Sequence, residues 1–275
     1  MSSPRLTEEH YWTGQFRSRS RRPDYRGGSD LRSHARQQVH EFLSAQIGDG
    51  NGRRLIEVGC ADSSFLPYFR REFGLRVAGL DYSEPGCEMA RERLRASGEP
   101  QPEVINADLF ALPARLQNQF DLVFSYGLVE HFQNATEVTA LLRSLLKPGG
   151  KIITLVPNIA GVPGFFQRML HRPIWDMHLM YDPRSLRAIH EASGFETVTS
   201  RYLVGFNLGV CNPGLQLKRN AFTRFVTQAV FRMMQATTVA WWIGERLGLG
   251  FKPNRLLSPY VIYVGCAPHS VQSRS

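Results

Sequence analysis

The chain has 275 residues, 43% of them hydrophobic, which is enough to bury a sizeable core and excludes a disordered chain. A net charge of +9 admits nucleic acid or an anionic surface as partner, but the excess is largely arginine spread along the chain, and it reads mainly as a solvated surface. The cysteines Cys60, Cys87, Cys211 and Cys266 lie far apart with no C-x-x-C pair, which argues against a zinc site or disulfide framework and for a reducing, cytoplasmic setting; no secretory signal pattern opens the chain, and no run of about eighteen apolar residues could span a bilayer.

Residues 1–52 read as an N-terminal cap and helix. Tyr11-Trp12 precede a basic, glycine-containing stretch without apolar periodicity, and Val39, Phe42, Leu43 and Ile47 then fall at helical spacing. Gly48 to Gly52 break the pattern. Arg53 to Phe69 reads as strand, tight turn and helix start: Leu55, Ile56 and Val58, then Gly59-Cys60-Ala61-Asp62, then Ser63-Ser64 leading into Phe65, Leu66 and Phe69. A glycine at the mouth of a buried strand lets a ligand lie against the backbone, and Glu57 just before it can hold a cationic group. Arg76 to Asp81 is a second strand ending in an acid, at the spacing where α/β folds set a carboxylate on ribose hydroxyls. Glu84 to Ala96 is a crossover helix of the right length for a parallel sheet, and Val104-Ile105 is a third strand.

Phe120 to Phe124, apolar but for Asp121, is a strand expected at the centre of the sheet, with Ser125-Tyr126-Gly127 at its ligand-binding end. His131 follows in Leu128-Val129-Glu130-His131-Phe132; it titrates near neutrality and is the general-base candidate, with Glu130 to orient it, unless the Glu-His pair only stabilises the loop. Thr136 to Leu146 reads as a helix closed by Lys147-Pro148-Gly149-Gly150, and Lys151 to Val156 as the fifth strand. Residues 157–184 interrupt the pattern with glycine, proline and aromatic residues. Lying past a strand's C-terminal end, they are expected to overhang the site, with Phe165 and Trp175 shaping an apolar pocket and His171, Asp176 or His178 supplying a base or polar anchor. Their spacing is no known ligand frame, and no metal is expected. Asp182 opens a helix that Gly194 ends, Phe195 to Tyr202 is a sixth strand, and Tyr260 to Cys266 the last. Between these two strands, Ala221 to Leu247 places Phe222, Phe225, Val226, Ala229, Val230, Met233 and Met234 along one helical stripe, read as core or a homodimer contact in preference to peripheral membrane contact.

The segments IEVGCADSS, VAGLDYS, INADLFALP, FDLVFSYGLVEHF and LLKPGGKIITLVPN occur in the order and spacing of the class I S-adenosylmethionine-dependent methyltransferases, which the chain resembles over roughly residues 50 to 200. HLMYDPRSLRAIHEASGFE is similar to the corresponding joint in small-molecule members, including the ubiquinone-pathway O-methyltransferases. The resemblance implies an α/β fold, a Rossmann-like doubly wound seven-stranded sheet with helical caps, with residues 53–275 as the methyltransferase domain and lid insertions at 157–184 and 205–257. It implies S-adenosyl-L-methionine as cofactor, with Glu57 on the methionine amino end, the Gly59–Ala61 turn beside the donor, Asp81 on the ribose next to Tyr82, Asp108 and Leu109 at the adenine, and Ser125 at the strand end. Tyr11 either covers the ligand or anchors the N-terminal segment. The acceptor would meet Tyr11, Tyr126, Phe165, His171 and Trp175, with His131 and His178 as bases. The family's acid-x-Gly-x-Gly-x-Gly turn appears here as Glu57, Gly59, Ala61 and Ser63, keeping only its first glycine. The expected reaction is methylation of an oxygen or nitrogen of a small, partly apolar metabolite; the alternatives are an RNA methyltransferase and a non-catalytic cofactor-binding regulator.

Overall fold

In a computed structural model, which describes residues 5–6, 34–211 and 220–269, seven strands form one sheet in the order β3-β2-β1-β4-β5-β7-β6. The strands are β1 (Arg54–Val58), β2 (Arg76–Asp81), β3 (Glu103–Asn106), β4 (Phe120–Tyr126), β5 (Leu146–Pro157), β6 (Glu196–Leu203) and β7 (Tyr260–Cys266). The first five run parallel, and β7 is antiparallel to both β5 and β6. Strands β1 and β4 lie side by side in the middle, which is why LIEV and FDLVF carry almost no exposed side chains.

Helices cover both faces: α1 (His34–Ile47), α2 (Phe65–Phe73), α3 (Glu84–Ala96), α4 (Ala135–Ser144), α5 (Val162–Leu170), α6 (Arg172–Asp176), α7 (Pro183–Ala192) and α8 (Ala221–Arg246). Their starts follow local chemistry. Ser83 and Asn134 accept the N–H of Gly86 and Glu137 at the heads of α3 and α4, and Asp182 forms a capping box with Ser185 ahead of α7. One core layer joins α1, α2 and α3 to the sheet around Tyr68, Phe69 and Phe124, and the other joins α4 and α7 around Val138, Leu142 and Leu186. No helix among the described residues is long and apolar enough to cross a membrane.

Two sequence expectations change. Lys147-Pro148-Gly149-Gly150 is not a break: it opens β5, because Gly149 N–H donates to Ala267 O at 3.1 Å and Ala267 N–H to Gly150 O at 2.8 Å, tertiary partners that a local pattern does not contain. Most of the stripe on α8 is not core, Met234 and Val230 excepted. Its buried face is Thr227, Met234, Thr238 and Trp242, while Phe222, Phe225, Val226 and Met233 stand in solvent. Glu245 fastens the helix to α1 by accepting hydrogen bonds from His34 (2.6 Å) and Gln38 (3.0 Å), and Trp242 Nε1–H donates to Phe206 O at 2.8 Å.

Candidate active site

Strand order reverses between β1 and β4, so the connections leaving their C-terminal ends diverge and open a crevice between them. A cavity of about 330 Å³ lies there. Its first wall is the turn after β1. Gly59 takes φ +76°, a conformation that favours glycine, and a Cβ there would come within 3.1 Å of Leu128 Cδ1. The N–H groups of Gly59 and Cys60 both donate to Leu80 O, at 2.8 and 3.2 Å. Ala61 stands at φ +36°, in the left-handed region, and its N–H donates to Asp81 Oδ2 at 3.0 Å. Asp81 Oδ1 accepts from Ser83 N–H at 2.8 Å, so this acid at the end of β2 braces the turn after β1. Alanine can replace the family glycine because the Asp81 contact holds the strained backbone.

Burial pushes Asp81 up to about 6 against the pull of those N–H donors and of Arg5. Glu57 is buried more deeply, and desolvation raises it to about 8; the Ser63 hydroxyl, which donates to Glu57 Oε2 at 2.5 Å, opposes the shift and nearby Asp81 adds to it. A fully buried acid poised this high gains a partner when a cation enters. Asp62, also on the turn, is held by the buried Arg93 of α3 (Nε to Oδ1 3.1 Å), an ion pair that no local motif announced.

At one end of the cavity Arg5 forms an ion pair with Asp108 and lies over the rings of Tyr82 (4.9 Å to the centroid) and Phe110 (5.4 Å). Leu6 N–H donates to His131 O at 2.8 Å and ties this N-terminal piece to the rim. Beside this rim, the single turn Val129–His131 and the 157–184 segment meet. His131 Nδ1 lies 2.9 Å from Met177 O and His178 Nδ1 2.6 Å from Ile174 O; a carbonyl only accepts, so both Nδ1 atoms carry the proton. The two rings are 4.5 Å apart. Burial, reinforced by His178, drives His131 down to about 3, and burial lowers His178 too. Glu130, wholly buried beside them, is pushed up to about 8 by desolvation, and neither of its oxygens has a hydrogen-bond partner among the described residues.

The expected donor residues Glu57, Gly59, Ala61, Asp81 and Tyr82 line this cavity, as do Tyr126, His131 and His178 at the acceptor end. The others do not. Asp108 and Leu109 lie beyond its lining: Asp108 caps a short turn through Phe110 N–H (3.0 Å) and pairs with Arg5, and Leu109 is core. Ser125 turns inward, donating to Thr154 Oγ1 at 3.4 Å. Phe165, expected in the pocket, is 65% exposed on the outer face of α5. His171 is buried away from the cavity, and Trp175 lies outside it with Arg168 over its ring at 4.9 Å. Tyr11 falls outside the described residues. Conversely, Arg5 and Asn158 line the cavity without having been singled out; Asn158 Nδ2 donates to the carbonyls of Arg255 and Ser258, both at 2.8 Å, and its Oδ1 has no partner among the described residues.

A family model described as a methyltransferase domain matches residues 56–154, which run from β1 into β5 and contain the whole donor wall. These residues are similar to a methyltransferase domain, in agreement with the resemblance to the class I S-adenosylmethionine-dependent methyltransferases. It is similar to the ubiquinone biosynthesis O-methyltransferase of Thiobacillus denitrificans, at 29% identity over 53% of this chain and 66% of that one. The enzyme of the same name from Stutzerimonas stutzeri is 31% identical over 37% of this chain and 43% of its own. Among solved structures, a Haemonchus contortus phosphoethanolamine N-methyltransferase 2 bound to phosphomonomethylethanolamine and S-adenosylhomocysteine superposes with a TM-score of 0.57 at 16% identity, covering 85% of this chain and 52% of that chain. This last likeness is one of fold. The chain matches between 43% and 66% of the length of the two curated relatives.

The donor wall fits S-adenosylmethionine, the cofactor that the resemblance implies. Glu57 would hold the ammonium of its methionine part, Asp81 a ribose hydroxyl through the lone pairs that Ala61 and Ser83 leave, and Tyr82 the edge of the adenine. When bound, the sulfonium supplies an electrophilic methyl group.

Proposed function

We propose that the protein transfers the methyl group of S-adenosylmethionine to an oxygen of a small, partly apolar metabolite. The observation that carries this reading is that one cavity is lined both by the buried acids Glu57 and Asp81 and by Tyr126, Glu130, His131, Asn158 and His178. Its modest volume and apolar sides favour a small acceptor over a base in an RNA chain. Oxygen is preferred to nitrogen because the curated relatives named above are O-methyltransferases.

In this reading an acceptor oxygen attacks the methyl carbon, the carbon–sulfur pair goes to sulfur, and the acceptor's proton passes to solvent. Holding the two atoms in line supplies much of the rate. His131 is a weak base, since burial takes its pKa down to about 3 and keeps it neutral at pH 7; its part here is to help position the acceptor oxygen. The test is transfer of labelled methyl from the cofactor to matched phenols, alcohols and amines. Labelled ethers support the reading, labelled amines alone move it to nitrogen, and no transfer by protein that binds the cofactor would sink it.

The exposed face of α8 favours a second statement, that the acceptor is met at an anionic membrane surface. Phe222, Phe225, Met233 and Leu247 are each at least 60% exposed, Arg224, Arg232 and Arg246 stand exposed among them, and the one acid between residues 221 and 256, Glu245, is held inward by His34. Two copies packed on this face would oppose like charges, whereas anionic lipid complements it. Flotation with phosphatidylglycerol vesicles, lost in a Phe222→Ser/Phe225→Ser variant, supports this; a concentration-dependent dimer without flotation would replace it.

A further inference from the structure

A buried carboxylate with both oxygens unpartnered is rare in a folded protein and costly unless something satisfies it. Glu130 is fully buried, and among the described residues neither oxygen has a donor. It is also not alone. One ligand-capable atom from each of Glu130, His131 and His178 falls within 4.8 Å of the others, at the acceptor end of the cavity.

The two imidazoles are arranged in the way metal ligands are. Each gives its Nδ1–H to a backbone carbonyl, His131 to Met177 O at 2.9 Å and His178 to Ile174 O at 2.6 Å. Those bonds fix one tautomer, in which Nε2 carries the lone pair, and a bond from Nδ1–H to a carbonyl is what orients histidine ligands and raises their basicity in metal sites. Glu130, His131 and His178 together make a 2-His-1-carboxylate donor set. The elements that bring the three residues together are the Val129–His131 turn after β4 and the end of α6, and Leu179 N–H donates to Glu130 O at 2.8 Å to join them.

We propose that Glu130, His131 and His178 bind one first-row divalent cation, of the zinc, iron(II), cobalt or manganese class, which would hold the acceptor oxygen for methylation. Mixed nitrogen and oxygen donors favour these ions over magnesium or calcium, and ligand bonds of about 2.0–2.2 Å would draw the three groups together by roughly 1 Å. Three protein ligands leave positions open for the acceptor. There, a hydroxyl bound to the cation loses its proton to solvent, the oxygen forms its bond to the methyl carbon, and the carbon–sulfur bond breaks with its electrons going to sulfur, giving the methyl ether and S-adenosylhomocysteine. The role in catalysis rests on the function proposed above; the binding site does not.

The experiment is titration of chelator-treated, untagged protein with cobalt(II) alone, followed by its visible d–d absorption and by calorimetry, for the wild type and for Glu130→Gln, His178→Ala and His40→Ala. One equivalent with tetrahedral-type intensity is expected in the wild type and in His40→Ala. In Glu130→Gln and His178→Ala the affinity should fall by at least about 100-fold, more than second-shell changes usually cost. Glu130→Gln keeps shape and removes the buried charge, so it tests the site without threatening the fold. No cobalt signal in folded wild-type protein, or a signal that survives both ligand variants, would overturn the proposal. Methyl transfer is not the readout, so a protein that binds cobalt at this site but methylates nothing would contradict the proposed function alone.

Discussion

Glu57→Gln probes the donor site through its proton. In the free protein Glu57 has a pKa of about 8, so at pH 7 about nine molecules in ten carry the proton. An ammonium set against this carboxyl favours the ionised form, and if binding takes its pKa below about 6, roughly 0.9 proton leaves on binding at pH 7. The cofactor's own amine is still charged at that pH, so it contributes little of its own. Wild-type affinity should therefore rise with pH by up to about tenfold per unit below pH 8. The glutamine variant should lose the pH dependence together with a charge-assisted hydrogen bond of about 1.5–3 kcal/mol, weakening binding above pH 8 by about 10- to 150-fold and by less at pH 6. Calorimetry of S-adenosylhomocysteine binding in buffers of different ionisation enthalpy counts the protons directly. No proton release at pH 7, with an affinity flat from pH 6 to 8, would refute the assignment of Glu57 to the ammonium.

Arg5 holds Asp108 and covers Tyr82 at the adenine end, and its partly exposed ion pair is worth about 1 kcal/mol, so Arg5→Ala should tighten cofactor binding about fivefold; weaker binding would mean that Arg5 helps hold the ligand. Ala61→Gly should relieve a left-handed alanine costing about 1 kcal/mol and lose about half of that to unfolded-chain entropy, raising the melting temperature by about 1–2 °C; a fall would show that Ala61 is unstrained. Glu57 and Glu130 both titrate near 8 in the fold against 4.5 ordinarily, so the native state holds their protons longer than the unfolded chain does. Their contribution is full below pH 4.5 and is lost as pH rises towards 8, so chelator-treated protein should be less stable to urea at pH 8 than at pH 5 by a few kcal/mol, and Glu130→Gln should remove part of that slope. Equal stability at both values would mean that these acids are solvated.

Where the determinants are local, sequence and structure agree. Ser83 and Pro85 announce α3 at Glu84, and the β-branched run of Tyr260–Cys266 is β7 with the same bounds. The donor wall was equally legible, since Glu57, Gly59 and Asp81 sit at strand ends whose positions follow from the apolar pattern. Legibility fails where the partner is far away in the chain. Arg5 and Asp108 are 103 residues apart and no spacing links them. Helical periodicity showed that 221–247 is a helix but not which of its two apolar faces meets the core; Trp242 and Met234 win because they reach Phe206 and Leu208, while Phe222 and Phe225 extend past the body. In the 157–184 segment the aromatic count suggested a pocket, yet Phe165 points outward, and it is His178 that reaches the cavity because the end of α6 folds back on His131. The reading of His131 rests on its ordinary titration, and the burial that lowers its pKa is not visible in the local sequence.

The donor site underlies the proposed activity, and the measurement that tests it most directly is calorimetric titration of wild type and Asp81→Ala with S-adenosylmethionine and S-adenosylhomocysteine. The account predicts saturable one-to-one binding of both by the wild type, weakened by at least about tenfold in the variant, which loses both a ribose partner and the brace of the Ala61 turn. No binding by folded wild-type protein, or equal binding by the variant, would contradict it.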